Sequence, residues 1–114
     1  MTIKRGDILL INLDPVKGSE QGKIRPCVVI QNDISNEYSP TTIVAAITSA
    51  LSDKKYPTEV KIAPKESCLL KESTILLNQI RTISLKDRAI KKIGKLTNSK
   101  MNEVNEAIKI SLAL

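Results

Sequence analysis

The group best placed for chemistry is an arginine at the end of a short polar loop. The stretch Gly18-Ser19-Glu20-Gln21-Gly22-Lys23-Ile24-Arg25-Pro26 runs directly into the apolar residues Cys27-Val28-Val29-Ile30. Loops that deliver a charged group to the lip of a rigid strand are where binding and catalysis concentrate. A guanidinium is protonated at neutral pH and offers a planar fork of donors that matches a phosphate. Pro26 fixes its own φ and biases Arg25 towards extended backbone, so a neighbour sets the arginine's placement. The plainer account is a surface arginine beside a strand-opening proline. Further along, Gln79 and Arg81 share strand parity and so point to one face; the plainer account there is an ordinary polar edge. Thr48, at the end of an apolar run, is by type one of many β-branched strand residues, and Glu20 is by type a solvated loop acid.

Other chemistries lack their usual residues. The chain has no histidine, the commonest metal ligand and general acid–base group. Cys27 and Cys68 make neither a disulfide framework nor a metal-ligand spacing. Cys27 lies inside an apolar run and reads as a small buried hydrophobe. No metal site and no cofactor are expected.

The positioning elements come from a chain of 114 residues with 41% apolar content, enough for a single domain, 1–114, with a real core. Tyr38 and Tyr56 are the only aromatics, so the core is aliphatic, and binding that stacks many bases on a protein face is disfavoured. No signal peptide or membrane-spanning apolar stretch is visible, and a cytoplasmic location away from membranes is expected. The net charge is +6. Residues 81–100 hold seven basic side chains (Arg81, Lys86, Arg88, Lys91, Lys92, Lys95 and Lys100) against one acid, Asp87, so this fifth of the chain owns the whole excess. That points to a polyanion or acidic protein partner, against the plainer account of a solvated strand and helix face.

Strands are expected over 6–13, 25–31, 42–48, 59–62, 73–82 and 89–95, with polar loops at 14–24 and 49–58, a connection at 32–41 with room for one helical turn, and a loop at 64–71. Thr97 or Asn98 can cap a final helix, whose stripe would be Met101, Val104, Ile108 and Leu112. The runs at 8–11, 27–30, 43–47 and 75–77 are continuously apolar where a one-sided sheet would alternate. One helix cannot cover both faces of a curled sheet, so the other face needs barrel closure, a second subunit, or both. A mainly β fold follows: a small, strongly bent antiparallel barrel with a C-terminal helix, dimerising through sheet surface.

Seven segments stand in order at characteristic spacing: Arg5-Gly6-Asp7-Ile8, Lys17-Gly18-Ser19-Glu20-Gln21-Gly22, Arg25-Pro26, Val28-Val29-Ile30-Gln31-Asn32-Asp33, Tyr38-Ser39-Pro40-Thr41-Thr42-Ile43, Ile47-Thr48-Ser49 and Gln79-Ile80-Arg81-Thr82. Together they resemble the MazF/PemK-like toxins of bacterial toxin–antitoxin systems. The resemblance implies the CcdB/MazF-type fold, an SH3-like barrel with a C-terminal helix, working as a homodimer. It implies a metal-independent endoribonuclease that cuts single-stranded RNA at a short sequence. It also implies inhibition by a cognate MazE-like antitoxin whose disordered tail lies over the RNA groove, with operator DNA reached only through that antitoxin. Catalytic roles carry over to Arg25 and Thr48, and RNA contacts to Ser19, Glu20, Gln21, Gln79 and Arg81. Three positions depart from the usual pattern: Lys23 stands where glycine is frequent, Asn78 where glutamate is frequent, and Cys68 where glycine is usual.

Given RNA cleavage without metal or histidine, the substrate's own 2′-OH is the expected nucleophile. It would leave a 2′,3′-cyclic phosphate and a 5′-OH, while the protein orients groups and stabilises the phosphorane charge. Arg25 suits a bidentate clamp on the non-bridging oxygens, and the Thr48 hydroxyl can donate to phosphate or leaving oxygen. A guanidinium is a poor base near neutrality, so either Glu20 or a phosphate oxygen takes the 2′-OH proton. Two other readings stay open: a gyrase-binding toxin of the CcdB type that cleaves nothing, and a basic barrel that binds RNA without chemistry.

Overall fold

A computed structural model of the chain describes residues 1–50 and 54–114. Its elements are β1 (Asp7–Asn12), β2 (Ile24–Val29), α1 (Asp33–Tyr38), β3 (Thr41–Thr48), β4 (Glu59–Ile62), α2 (Pro64–Ser67), β5 (Ser73–Ser84), α3 (Leu85–Arg88), β6 (Ala89–Lys95) and α4 (Asn98–Leu112). The six expected strands all form close to their expected bounds. Part of the expected loop at 49–58 lies outside the described residues. The four-residue helices α2 and α3 are additions, since one helical turn is too short to show an apolar period.

All strand pairs are antiparallel, in the order β4-β5-β3-β2-β1-β6. Register shifts between Ala45 and Ala46 on β3, and at two points where β1 meets β6, add the twist that bends the sheet. The fold class is the expected one, but the hydrogen-bonded sheet does not close: β4 and β6 remain its edges. α2 bridges them. It continues from β4, its Glu66 carbonyl accepts the Thr97 amide just after β6 (3.1 Å), and its Ser67 carbonyl lies against Gly94 of β6.

The apolar runs bury both faces within one chain. Ile8, Val28, Ala45, Ile47, Val60, Ile62, Ile75 and Leu77 pack with Leu96 and with Met101, Val104 and Ala107 of α4. Residues of opposite parity, Leu9, Ile11, Cys27, Val29, Val44 and Ala46, pack with Ile3, Leu13 and Ile83. The bent sheet covers this second face with its own chain, so the first of the expected covers, a curled sheet, is present, and the continuous runs do not by themselves require a second subunit. The helix stripe is corrected. Ala107 is buried while Leu112 is exposed, because the last turn leaves the core and ties down instead through Ser111 Oγ donating to the Leu77 carbonyl (2.8 Å). Thr97 caps the helix, its Oγ1 accepting from the Lys100 amide (3.3 Å).

Cys68, the residue after α2, has φ 64° and ψ 15°, the left-handed conformation that ends many helices and favours glycine. A side chain there is strained by about 1–2 kcal/mol, while glycine gives back about 0.4–1 kcal/mol through the unfolded chain. Cys68→Gly is therefore expected to raise stability by about 0.5–1 kcal/mol, read as a higher urea midpoint at unchanged slope. A lower midpoint would show that Cys68 packing outweighs the strain.

Candidate active site

The loop between β1 and β2 is built from close approaches. Gly18 has φ 55° and Lys23 φ 67°, so Lys23 occupies a left-handed position where glycine would be unstrained. At Gly22 an added Cβ would lie 2.6 Å from both Asp14 Oδ1 and Val16 Cγ2, so no side chain fits. Asp14 Oδ1 accepts from the Lys23 amide (2.8 Å), and the Leu13 amide donates to the Lys23 carbonyl (2.9 Å). The loop is thus pinched shut at its root.

Arg25 leaves this root half-buried, with its Nε donating to the Gly22 carbonyl (2.8 Å). That bond holds the Nε edge of the guanidinium against the loop root. β2 and β3 pair through Cys27↔Ala46, Val28↔Ala45 and Val29↔Val44. The pairing ends at Cys27↔Ala46; Arg25 lies two residues beyond Cys27 on β2 and Thr48 two beyond Ala46 on β3, so by strand parity both belong to the face of Cys27 and Ala46, at the same end of the pair. Thr48 Oγ1 accepts from the Ala50 amide (3.1 Å), so its proton is available to donate elsewhere. Arg81 pairs with Val44 on β3, and its Nη1 donates to the Leu13 carbonyl (2.8 Å).

Cys27 forms the floor beneath these arginines. Burial pushes its thiol up to about 12, against the opposing charges of Arg81 and Arg25. It stays protonated at neutral pH and is no nucleophile.

Two adjoining clefts cross this face. One, of about 240 Å³, is lined by residues including Leu13, Glu20, Gln21, Gln79 and Arg81. The other, of about 300 Å³, includes Gln21, Thr48, Asn78 and Gln79. Gln21 and Gln79 border both and are joined, the Gln21 amide donating to Gln79 Oε1 (3.2 Å). Gln21 Oε1 is buried and has no hydrogen-bond partner among the described residues, a costly state that a bound donor would relieve.

Of the expected site residues, Glu20, Gln21, Gln79, Arg81 and Thr48 therefore border one trough. Arg25 borders neither trough cleft; it lines a separate, more apolar cleft with Ile24, Pro26, Leu69, Leu70 and Ile93. Ser19 is exposed and borders neither trough cleft. Glu20 Oε1 accepts from the Lys17 amide (2.6 Å), which turns that oxygen back into its own loop. The basic excess of 81–100 does not form one stripe. Arg81 and Arg88 bond to backbone carbonyls, Lys92 pairs with the buried Asp7 (3.1 Å), and Lys100 pairs with Glu103 (2.9 Å). Nothing in the sequence alone marks Asp14, Gly22 or Arg88 as supports of Arg25. In the sequence Asp14 is simply the first residue of a polar loop and Arg88 one of a run of basic residues.

Residues 4–112 match the family described as PemK-like, MazF-like toxin of type II toxin-antitoxin system. An Endoribonuclease MazF of Staphylococcus saprophyticus is 54% identical over 112 residues, spanning 98% of this chain and 92% of that protein. The crystal structure of MazF (Form-I) from Deinococcus radiodurans is similar with a TM-score of 0.85 at 22% identity, covering 100% of this chain and 99% of that one. An endoribonuclease in complex with its cognate antitoxin, from mycobacterial species, is similar with a TM-score of 0.79 at 20% identity, covering 98% and 96%. At such identities these structures speak for the fold. The family match and the staphylococcal relative cover the chain nearly end to end, its loop and trough included, and by them the chain belongs to the PemK-like, MazF-like toxin family of type II toxin–antitoxin systems.

Proposed function

We propose that this chain is the toxin of a type II pair and a metal-independent endoribonuclease acting on single-stranded RNA. One observation carries the reading: a guanidinium with Nε already satisfied and a threonine hydroxyl lie at the same end of the neighbouring strands β2 and β3, the threonine in a trough bordered by amides and a second arginine. The 2′-oxygen attacks the adjacent phosphorus, and its proton passes to Glu20 or to a phosphate oxygen. Arg25 clamps the non-bridging oxygens as their charge grows, and Thr48 donates to phosphate or leaving oxygen. The P–O5′ bond breaks and the departing oxygen takes a proton, leaving a 2′,3′-cyclic phosphate and a 5′-OH. Gln21, Gln79 and Arg81 contact the RNA in the trough, with Ser19 and Glu20 from the loop above.

The chain acts as a homodimer in this reading. Ile24, Pro26, Leu69, Leu70 and Ile93, together with Arg25, line a mainly apolar cleft of about 520 Å³, and Leu70 is 97% exposed. Equilibrium sedimentation at micromolar concentration is expected to give about twice 12.5 kDa; a fully active monomer would refute this. A cognate antitoxin inhibits by laying an extended tail in the RNA trough, so tail and RNA compete. No helix among the described residues is long and apolar enough to cross a membrane, and the proposed location is the cytoplasm.

Incubation of the purified protein with a long single-stranded RNA in EDTA tests the chemistry. Cleavage is expected to persist and to yield 2′,3′-cyclic ends. Strict dependence on added Mg²⁺ or Mn²⁺ would overturn metal independence, and binding without cleavage would favour the non-catalytic or gyrase-directed reading.

A further inference from the structure

Arg88 and Asp14 lie outside the trough, yet both are built into the support of Arg25. α3 holds Arg88 on a fixed platform: the Leu85 amide donates to the Pro40 carbonyl (3.1 Å), Ser84 caps the turn through Asp87, and Ala89 enters β6. From there Arg88 Nη1 donates to the carbonyls of Asn12 (3.1 Å) and Asp14 (2.7 Å), while Arg81 takes the carbonyl of Leu13 between them (2.8 Å). Two guanidinium groups thus occupy three consecutive carbonyls where β1 ends and the loop begins. The Asp14 amide is held as well, donating to Asn12 Oδ1 (3.0 Å). With its backbone fixed from both sides, Asp14 offers Oδ1 to the Lys23 amide (2.8 Å), and the same oxygen fills the space where a Gly22 side chain would stand. The Gly22 carbonyl then receives Arg25 Nε (2.8 Å).

We propose that Arg88 and Asp14 are positioning residues: they fix the Gly22 carbonyl, and through it the plane of the Arg25 guanidinium. Each link is a hydrogen bond to backbone, so the loop root behaves as a truss. An arginine held through Nε has one rotational choice removed, and the plane of its guanidinium is restrained with it. Lys23 makes the truss more necessary. Its left-handed backbone is strained, and the Asp14 acceptor is what holds its amide in that conformation. Asp14 acts here as an acceptor, so its charge is dispensable.

The functional consequence rests on the reading that Arg25 clamps the phosphate, and the test separates the two ideas. In the full chain, Arg88→Ala, Asp14→Ala and Asp14→Asn are compared by NMR for solvent exchange of the Arg25 Nε proton, and by kinetics on a single-stranded RNA transcript. Arg25→Ala is run beside them. Loss of the truss is expected to speed Nε proton exchange roughly five- to tenfold in Arg88→Ala and Asp14→Ala. In the same variants kcat falls roughly ten- to hundredfold, as a misplaced group near the chemistry would cause, while KM moves far less. Asp14→Asn keeps the acceptor oxygen and is expected to restore both readouts. Unchanged Nε exchange in Arg88→Ala and Asp14→Ala would overturn the proposal, as would an Asp14→Asn variant as impaired as Asp14→Ala. If Arg25→Ala cleaves normally, the role assigned to Arg25 falls, and the exchange measurement still decides whether the truss holds its guanidinium.

Discussion

Arg25→Ala is expected to lower kcat/KM on single-stranded RNA at least about 100-fold, a loss of about 2.7 kcal/mol or more of transition-state stabilisation. The magnitude follows from removing a preorganised donor aimed at charge that exists only as the phosphorane forms. Arg25 is suited to that because Gly22 fixes its Nε before substrate arrives, so little reorganisation is needed at the reacting moment. Arg25→Lys should recover only part of the loss. An ammonium restores the charge, but it lacks the fork that grips two oxygens and the Nε that Gly22 holds. Thr48→Ala should fall in the same range as Arg25→Ala, since it removes the hydroxyl at the same end of the neighbouring strand. Both side chains are half-buried near strand ends, so folding should be retained, as thermal melting will show. Near wild-type cleavage by Arg25→Ala or Thr48→Ala would overturn the site assignment.

The second large effect is on stability and concerns the gap between the sheet edges. Gly94 pairs with Ile8 across β1 and β6, and its added Cβ would stand 2.7 Å from the Ser67 carbonyl oxygen and 3.0 Å from Cys68 Cβ. The Ser67 carbonyl cannot easily retreat. α2 is fastened by Glu66 Oε1 accepting from the Ala63 amide (2.9 Å), by Ser67 Oγ donating to the Ala63 carbonyl (3.2 Å), and by the Thr97 amide on the Glu66 carbonyl (3.1 Å). Gly94→Ala must therefore push β6 and α2 apart, at a cost of about 1–3 kcal/mol typical of overpacking. Denaturant unfolding should show the midpoint drop. Adding Cys68→Gly should relieve only the contact with Cβ, because the backbone oxygen of Ser67 remains. A Gly94→Ala variant as stable as the parent would mean that α2 is not the rigid bridge between β4 and β6 described above.

Much of the candidate site is legible in the sequence because its causes are local. Pro26 acts on Arg25 through the bond between them, and the polar, glycine-bounded loop announces itself in composition. Parity alone put Gln79 and Arg81 on one side of a strand. What escaped was every feature set by partners distant in the chain. Arg88 looked like one more cation in a basic run, since nothing near it in sequence shows that it will bond to carbonyls at Asn12 and Asp14. Glu20 could be named as a loop acid, but not seen to bend one oxygen onto the Lys17 amide.

The apolar runs show the same division. Their composition establishes that Leu9, Cys27 and Val44, as well as Ile8, Val28 and Ala45, must leave water. It does not say what covers each face, and a second subunit and a bent single chain both satisfy the pattern. The tertiary structure chose the bend, because register shifts in β1, β3 and their partners turn the sheet far enough for Ile3, Leu13 and Ile83 to reach the second face. Likewise the strand sequence, the final helix and the arginine–proline pair follow from propensity and neighbours, which act over a few residues. The placing of Arg25 and Thr48 at one end of neighbouring strands, the meeting of Gln21 with Gln79, and that of Arg88 with the loop root depend on strand order and register, which are settled only when the whole sheet assembles and every buried backbone group finds its partner.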